Sequence, residues 1–275
     1  MKNIRIKSLI IGAAVAVGAL FSGCSAKTEN VSGGNIEDVT LSKGDLVAEI
    51  EIKDFGTIKA KLFPEAAPVG VENFQKLCES GYYKGKNIHR VIEGFMFQGG
   101  SLNGDGTGGD AAVNGGTFEV EKADNLRHFY GALCYANAGG QNTTQFYIVN
   151  NNKSNTFDSE IEYYKKQMNL CDERIKEYQN AGSSEGVEYF TRVKNTFQNY
   201  INNYEKFPEN VKELYNQRGG APSLDGNYTV FGQVVEGFDV IDAVSAVEVT
   251  ENAAEEKSVP VKEIIISDIR VSAVE

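Results

Sequence analysis

Within these 275 residues, the histidines and cysteines that a zinc site would need are few: two histidines, His89 and His128, and four cysteines, Cys24, Cys78, Cys134 and Cys171. The cysteines are widely spaced and match no zinc motif. With Cys24 set apart for an N-terminal role, three remain, an odd number that excludes a complete disulfide framework. They read as buried apolar residues, with one pairing left open. Asn103-Gly104-Asp105-Gly106 has the outline of a calcium loop, but Ser101 stands where the first Asp belongs and Ala112 where the closing Glu belongs. Gly104, Gly106, Gly108 and Gly109 are as dense as in a phosphate loop, without its Lys-Ser/Thr ending or its strand–helix setting. No Gly-x-Ser-x-Gly elbow is present, and no nucleophile signature lies near His89. Neither a metal nor a cofactor is expected. The 38 acidic against 27 basic residues give a net charge of -11, which argues against nucleic acid as the main partner.

Strand-like segments must position whatever site exists. Residues 46–52 (LVAEIEI) and 56–63 (GTIKAKLF) alternate with period two, and Asp54-Phe55-Gly56 can turn between them. Residues 64–80 predict a helix, with Val71, Phe74, Leu77 and Cys78 on one face and Gly81 as its stop. Further short strands are expected at 87–92, 95–100, 131–137, 145–150, 229–235 and 263–271, with a short helix near 238–244. Many short strands with glycine-rich turns point to an antiparallel barrel or sandwich, and the lack of βαβ alternation argues against a doubly wound sheet. Residues 158–205 behave differently. Ile161, Tyr164, Met168, Cys171, Ile175 and Tyr178 form one helical stripe, and Val187, Phe190, Lys194, Phe197, Ile201 and Tyr204 a second, broken only by Lys194. Two antiparallel helices with facing seams are predicted, followed by a third helix over Pro208 to Gln217.

Five blocks then stand out in order: NIHRVIEGFMFQGG (87–100), NGDGTGG (103–109), YANAG (135–139), QFYIV (145–149) and LDGNYTVFGQVVEG (224–237). Together they resemble the cyclophilin family of peptidyl-prolyl cis-trans isomerases, over residues 44–150 and 223–275. The resemblance implies a mainly β fold, a closed eight-stranded antiparallel barrel capped by two helices, here carrying an inserted helical hairpin. It also implies a surface groove for an Xaa-Pro peptide. The chemistry suits such residues. Amide rotation faces a barrier of roughly 18–20 kcal/mol, no bond is made or broken, and the enzyme needs only to favour the twisted state. In that state the proline nitrogen can accept a hydrogen bond. By resemblance Arg90 donates it, and Phe95, Met96, Tyr147 and Leu224 line the proline slot. Gln98 and Gln145 are expected to hold Arg90 or the substrate backbone, Ala136 and Asn137 to offer the strand edge that pairs with the peptide, and Tyr228 to supply one wall. Three positions depart from the family: Tyr147 replaces the commoner Phe, Ser223 stands where an aromatic, often Trp, is usual, and Tyr228 where His is usual. A non-catalytic peptide-binding barrel is the competing reading; an unrelated solute-binding lipoprotein is disfavoured by the motifs.

At the N-terminus, Lys2, Arg5 and Lys7 precede an apolar run over 8–20, too short to span a bilayer, which takes about 20 residues, and of signal-peptide length. Phe21-Ser22-Gly23-Cys24 resembles a bacterial lipobox, which implies that Cys24 carries a lipid. The expected organisation is a signal peptide over 1–23, a lipid-anchored flexible linker over 24–43, and an isomerase domain over 44–275 interrupted by a helical insertion at 151–222. That places the protein outside the cytoplasm, on a membrane, with proline-containing segments of exported proteins as partners. The insertion enters between the strand of Tyr147 and the loop of Leu224, so it should rise from the groove's rim, where it would contact clients or partners.

Overall fold

The computed structural model describes residues 34–275. Residues 1–33, and with them Cys24 and the expected signal peptide, lie outside the described residues. In chain order the elements are β1 (Leu46–Ile52), β2 (Gly56–Leu62), α1 (Pro68–Glu79), β3 (Asn87–Ile92), β4 (Met96–Gly99), β5 (Phe118–Glu119), β6 (Ala132–Ala138), β7 (Gln141–Val149), α2 (Thr156–Asn180), α3 (Ser184–Tyr204), α4 (Glu209–Arg218), β8 (Val230–Glu236), α5 (Phe238–Ser245), β9 (Val249–Glu251), β10 (Lys257–Pro260) and β11 (Ile264–Ala273). The main sheet runs β4-β3-β11-β1-β2-β8-β6-β7, and β4 pairs with β7 to close it. This is the expected eight-stranded antiparallel barrel, with the two-residue β5 appended to β7.

Period-two alternation builds the interior. Ile50 and Ile52 of β1, Ile58, Ala60 and Leu62 of β2, Phe97 of β4 and Phe146 and Ile148 of β7 all point into one core. Helix α1 covers that core with Val71, Phe74 and Leu77, and α5 with Val240, Ile241 and Val244. Helix α1 starts at Pro68 rather than 64: Phe63 still donates its backbone N–H to Phe231 O (2.9 Å), residues 64–67 form a separate turn in which Ala66 N and Ala67 N donate to Phe63 O (3.1 and 3.0 Å), and Pro68 then opens the helix.

The insertion forms the predicted hairpin. Tyr164 stacks near Phe197 (5.9 Å between ring centroids) and Tyr178 near Phe190 (5.6 Å). Lys194, the interruption in the stripe, reaches Asp172 on α2 at 2.6 Å. In α4, Pro208 is the residue before the helix rather than its first member. At the root of this arm, Phe157, Tyr204, Val211 and Tyr215 pack against Phe129 of the barrel and Ile36. Gly220 meets Phe129 in an isolated antiparallel bridge there, with φ +129, and any side chain would collide with the backbone of His128.

One expectation needs correcting. The stretch anticipated as flexible linker is fixed from Asn35 onward. The Asn35 side chain is fully buried, donates to Arg127 O (2.7 Å) and Gln233 Oε1 (3.0 Å), and accepts from Arg127 N (2.8 Å). A polar amide satisfied on three sides anchors chain whose composition alone reads as free. The thiols of Cys78, Cys134 and Cys171 are all unpaired.

Candidate active site

Four neighbouring strands place the site. Arg90 on β3 lies opposite Gln98 on β4, Gln98 opposite Tyr147 on β7, and Tyr147 opposite Cys134 on β6. Residues directly opposite one another share a face of the sheet. Since Phe97, Phe146, Ile148, Leu133 and Tyr135 fill the barrel, this row points outward. It meets Met96, Val149 and Val230 in a second apolar cluster on the barrel's outer surface, with Phe95, Ala136, Leu224 and Tyr228 half-buried around it. Met96 and Tyr147 are 2 % and 4 % exposed and form its floor. The outcome is a shallow apolar slot with aromatic walls, Arg90 at its edge.

Local structure fixes the walls. Gly94, at φ +70, turns β3 into β4. The following Phe95 is held by Asn150, whose Oδ1 accepts from Phe95 N (2.7 Å) and whose Nδ2 donates to Ile92 O (3.1 Å). Tyr228 meets Tyr147 edge-on at 5.9 Å, and His128 stacks behind Tyr147 at 6.2 Å. Burial raises the Tyr147 hydroxyl well above its ordinary pKa, so it stays protonated, with the Cys134 thiol as a weak polar neighbour. Asn137 donates to Asn227 O (2.9 Å), tying the end of β6 to the loop before Tyr228.

Of the two roles expected of Gln98 and Gln145, holding Arg90 or the substrate backbone, the first is not seen. Gln98 Nε2 donates to Gln145 Oε1 (2.9 Å), and Gln145 Nε2 donates to Gly106 O (2.9 Å) in the glycine-rich loop. Arg90 instead donates from Nε and Nη2 to the two carboxylate oxygens of Glu256, each at 2.8 Å. Its Nη1 faces Met96 Sδ at 3.9 Å. The neighbouring His89 is pushed down to about 4, first by burial and then by the Arg90 charge, so it is neutral at neutral pH.

Sequence reasoning missed Glu256, Asn150 and Asp225. Glu256 lies between β9 and β10, in a segment without periodicity. Asp225 follows Leu224, and its Oδ1 accepts from His128 N (3.0 Å) and Nδ1 (2.7 Å), while Oδ2 stands 3.6 Å from Arg127 Nε. The same His128 N–H also reaches the Tyr215 hydroxyl of α4 (3.0 Å). From the arm, Tyr164 hydrogen-bonds Ser223. The insertion thus abuts the turn Pro222–Leu224 that carries the slot's Leu224 wall, as its attachment point implied. Among the described residues no group of three or more His, Cys, Asp or Glu side chains could hold a metal ion.

Comparison with known proteins agrees with this geometry. The family model described as cyclophilin type peptidyl-prolyl cis-trans isomerase/CLD matches residues 47–170 and 172–271. A Staphylococcus epidermidis protein named a peptidyl-prolyl cis-trans isomerase is 33% identical over 217 residues, covering 78% of this chain and 87% of its own. A bifunctional phosphatase/peptidyl-prolyl cis-trans isomerase of Streptococcus pyogenes is 35% identical over 219 residues; the match spans 78% of this chain but 37% of that longer protein. In fold, the crystal structure of a Cryptosporidium parvum cyclophilin type peptidyl-prolyl cis-trans isomerase aligns with TM-score 0.53 and 22% identity, over 84% of this chain and 99% of the other. With the barrel, the outward slot and these matches in agreement, the chain belongs to the cyclophilin-type peptidyl-prolyl cis-trans isomerases.

Proposed function

We propose that this isomerase turns Xaa-Pro bonds in exported proteins, with Arg90 as the hydrogen-bond donor and the Phe95–Met96–Tyr147–Leu224 slot as the proline site. The observation that carries the reading is one cation beside one apolar slot on an otherwise closed barrel. A proline ring seated on Met96 and Tyr147 gains burial of its apolar face, which fixes one side of the bond. The carbonyl side is then free to rotate. Twisting removes the conjugation of the nitrogen lone pair, and the freed pair accepts a proton-sharing contact from the guanidinium, which planar ground states offer only weakly. Ala136 and Asn137 supply a strand edge for the peptide backbone, and Gln98 and Gln145 supply amides near it. Tyr228, edge-on to Tyr147, supplies one wall of the slot.

We further read Cys24 as the lipid-bearing residue that tethers the domain to a membrane, which would put exported, incompletely folded chains within its reach. The arm formed by α2 and α3 then orients or restricts protein clients at the rim. The decisive experiment is an Xaa-Pro isomerisation assay of the protein beside Arg90→Ala. A fall of roughly 10²–10³-fold in kcat/KM, the usual cost of losing one transition-state donor, supports the assignment. Equal activity in the two proteins would remove Arg90 from it. Radiolabelled fatty acid incorporated into the parent and not into Cys24→Ala tests the tether.

A further inference from the structure

We propose that Glu256 is a positioning residue of the isomerase: it holds the Arg90 guanidinium by one edge and so presents the opposite edge to the proline slot. The inference rests on Arg90 being the donor proposed above.

The geometry is specific. A guanidinium carries five N–H donors in a rigid plane. Glu256 takes Nε–H and one N–H of Nη2, both at 2.8 Å, in the fork-to-fork arrangement that fixes orientation as well as position. The Nη1 donors are left toward Met96, on the slot floor. Both partners are about three-quarters shielded, with 26 % and 24 % of their side chains exposed, so solvent does not compete freely for the pair.

Glu256 is itself seated. Its N–H donates to Asn252 Oδ1 (3.0 Å), the N–H of Ala254 donates to the same oxygen (2.8 Å), and Asn252 N donates back to Glu256 O (2.9 Å). Glu255 adopts φ +62 to complete this tight turn, and Ser258 adds a hydrogen bond to the Glu256 carboxylate. An ordered turn that delivers one carboxylate to one arginine is a construction, not a chance surface pair. It is also needed, because Gln98, the residue directly across from Arg90, spends its amide on Gln145. Without Glu256 the long arginine side chain has no strong acceptor among the described contacts and would lose orientation through its own rotamer freedom.

A competing use of the same contact is a latch that occupies Arg90 and suppresses activity. The two uses differ in sign. Steady-state isomerisation of a proline peptide by the full chain is measured for the parent, Glu256→Ala, Glu256→Gln, Asn252→Ala and Arg90→Ala. The positioning role expects Glu256→Ala to lower kcat by roughly 10- to 100-fold, the range for groups that orient a functional ligand from behind, with KM changed less than about threefold. Glu256→Gln, which keeps one acceptor, should fall between, and Asn252→Ala, which unseats the turn and leaves the carboxylate, should lower kcat in the same direction. The Arg90 Nε–H resonance, slow to exchange in the parent, should exchange fast in Glu256→Ala. Unchanged or higher kcat in Glu256→Ala, with Arg90→Ala inactive, overturns the positioning role alone. Full activity in Arg90→Ala overturns the reading of Arg90 on which it rests.

Discussion

Asp225→Ala should destabilise the protein far more than its loop position suggests. The Asp225 side chain is 5% exposed, and that of its ion-pair partner Arg127 is 17% exposed. Truncation removes the acceptor of the His128 Nδ1 contact at 2.7 Å and one of two acceptors of His128 N, and leaves the Arg127 guanidinium shielded and without its anion. Hydrogen bonds to a charged group contribute about 1.5–3 kcal/mol, and stripping one partner from a buried pair costs about 3–5 kcal/mol. The Tyr215 hydroxyl still takes His128 N, which puts the expectation at the lower end, about 3 kcal/mol. For a chain of this size that lowers Tm by roughly 6–12 °C. Asp225→Asn keeps the shape and one acceptor and should lose about half as much. Because residue 225 follows Leu224 and abuts the root of the arm, loosening it should also raise KM for a proline peptide while kcat holds. Thermal and urea unfolding measure the first effect and the isomerisation assay the second. A loss below about 1 kcal/mol in Asp225→Ala would refute the reasoning, since the network would then be no more than a surface ion pair.

Tyr147→Phe removes a buried hydroxyl that makes no strong hydrogen bond; it should leave isomerisation intact and raise stability by up to about 1 kcal/mol, read by Tm. Burial pushes Glu160 of α2 up from 4.5 to about 7, a shift that the Tyr204 hydrogen bond only partly offsets. Its folded form therefore holds a proton that the unfolded chain releases, so its contribution is greatest below about pH 4.5 and falls as pH rises toward 7, by up to about 3 kcal/mol. Glu160→Gln should flatten that part of the profile of Tm against pH, and an unchanged slope between pH 5 and 7 would exclude Glu160 as its source. Replacing residues 165–199 with a short Gly-Ser turn uses the 5.2 Å stacking of Tyr164 on Tyr200 as the splice. It should leave tetrapeptide isomerisation within about twofold, since the proline slot lies wholly outside the excised segment, and raise the rate on a folded protein client. Equal rates on both substrate types before and after would remove the arm from client selection.

What could be read in the sequence divides along a physical line. Alternation is a local signal, so β1 was bounded to the residue, and the buried positions Ile58, Ala60 and Leu62 fell on one face as expected. The same alternation assigns the site. On β4 and β7 the inward residues Phe97, Phe146 and Ile148 build the core, and their neighbours Met96, Gln98, Gln145 and Tyr147 are thereby turned outward. A strand rich in apolar residues on both faces therefore signals that its outer face is used, and the motif residues supply the use. What was not legible is what depends on pairing at a distance. Glu256 meets Arg90 across 166 positions and Asp225 meets His128 across 97, and nothing local distinguishes Glu256 from the acids beside it. The anchoring of the 24–43 stretch at Asn35 is illegible for the same reason: an amide in a polar stretch looks like linker until Arg127 and Gln233 arrive from the far side of the chain. Both failures concern polar groups, and that follows from their energetics. An apolar side chain gains from any apolar surface and so leaves a periodic trace, whereas a buried polar group gains only from a particular partner in a particular direction. The reaction needs one such directed group, a donor held at the edge of an apolar slot. The slot could be found from pattern and resemblance; the carboxylate that aims the donor could be found only once the barrel had closed and brought the β9–β10 turn against β3.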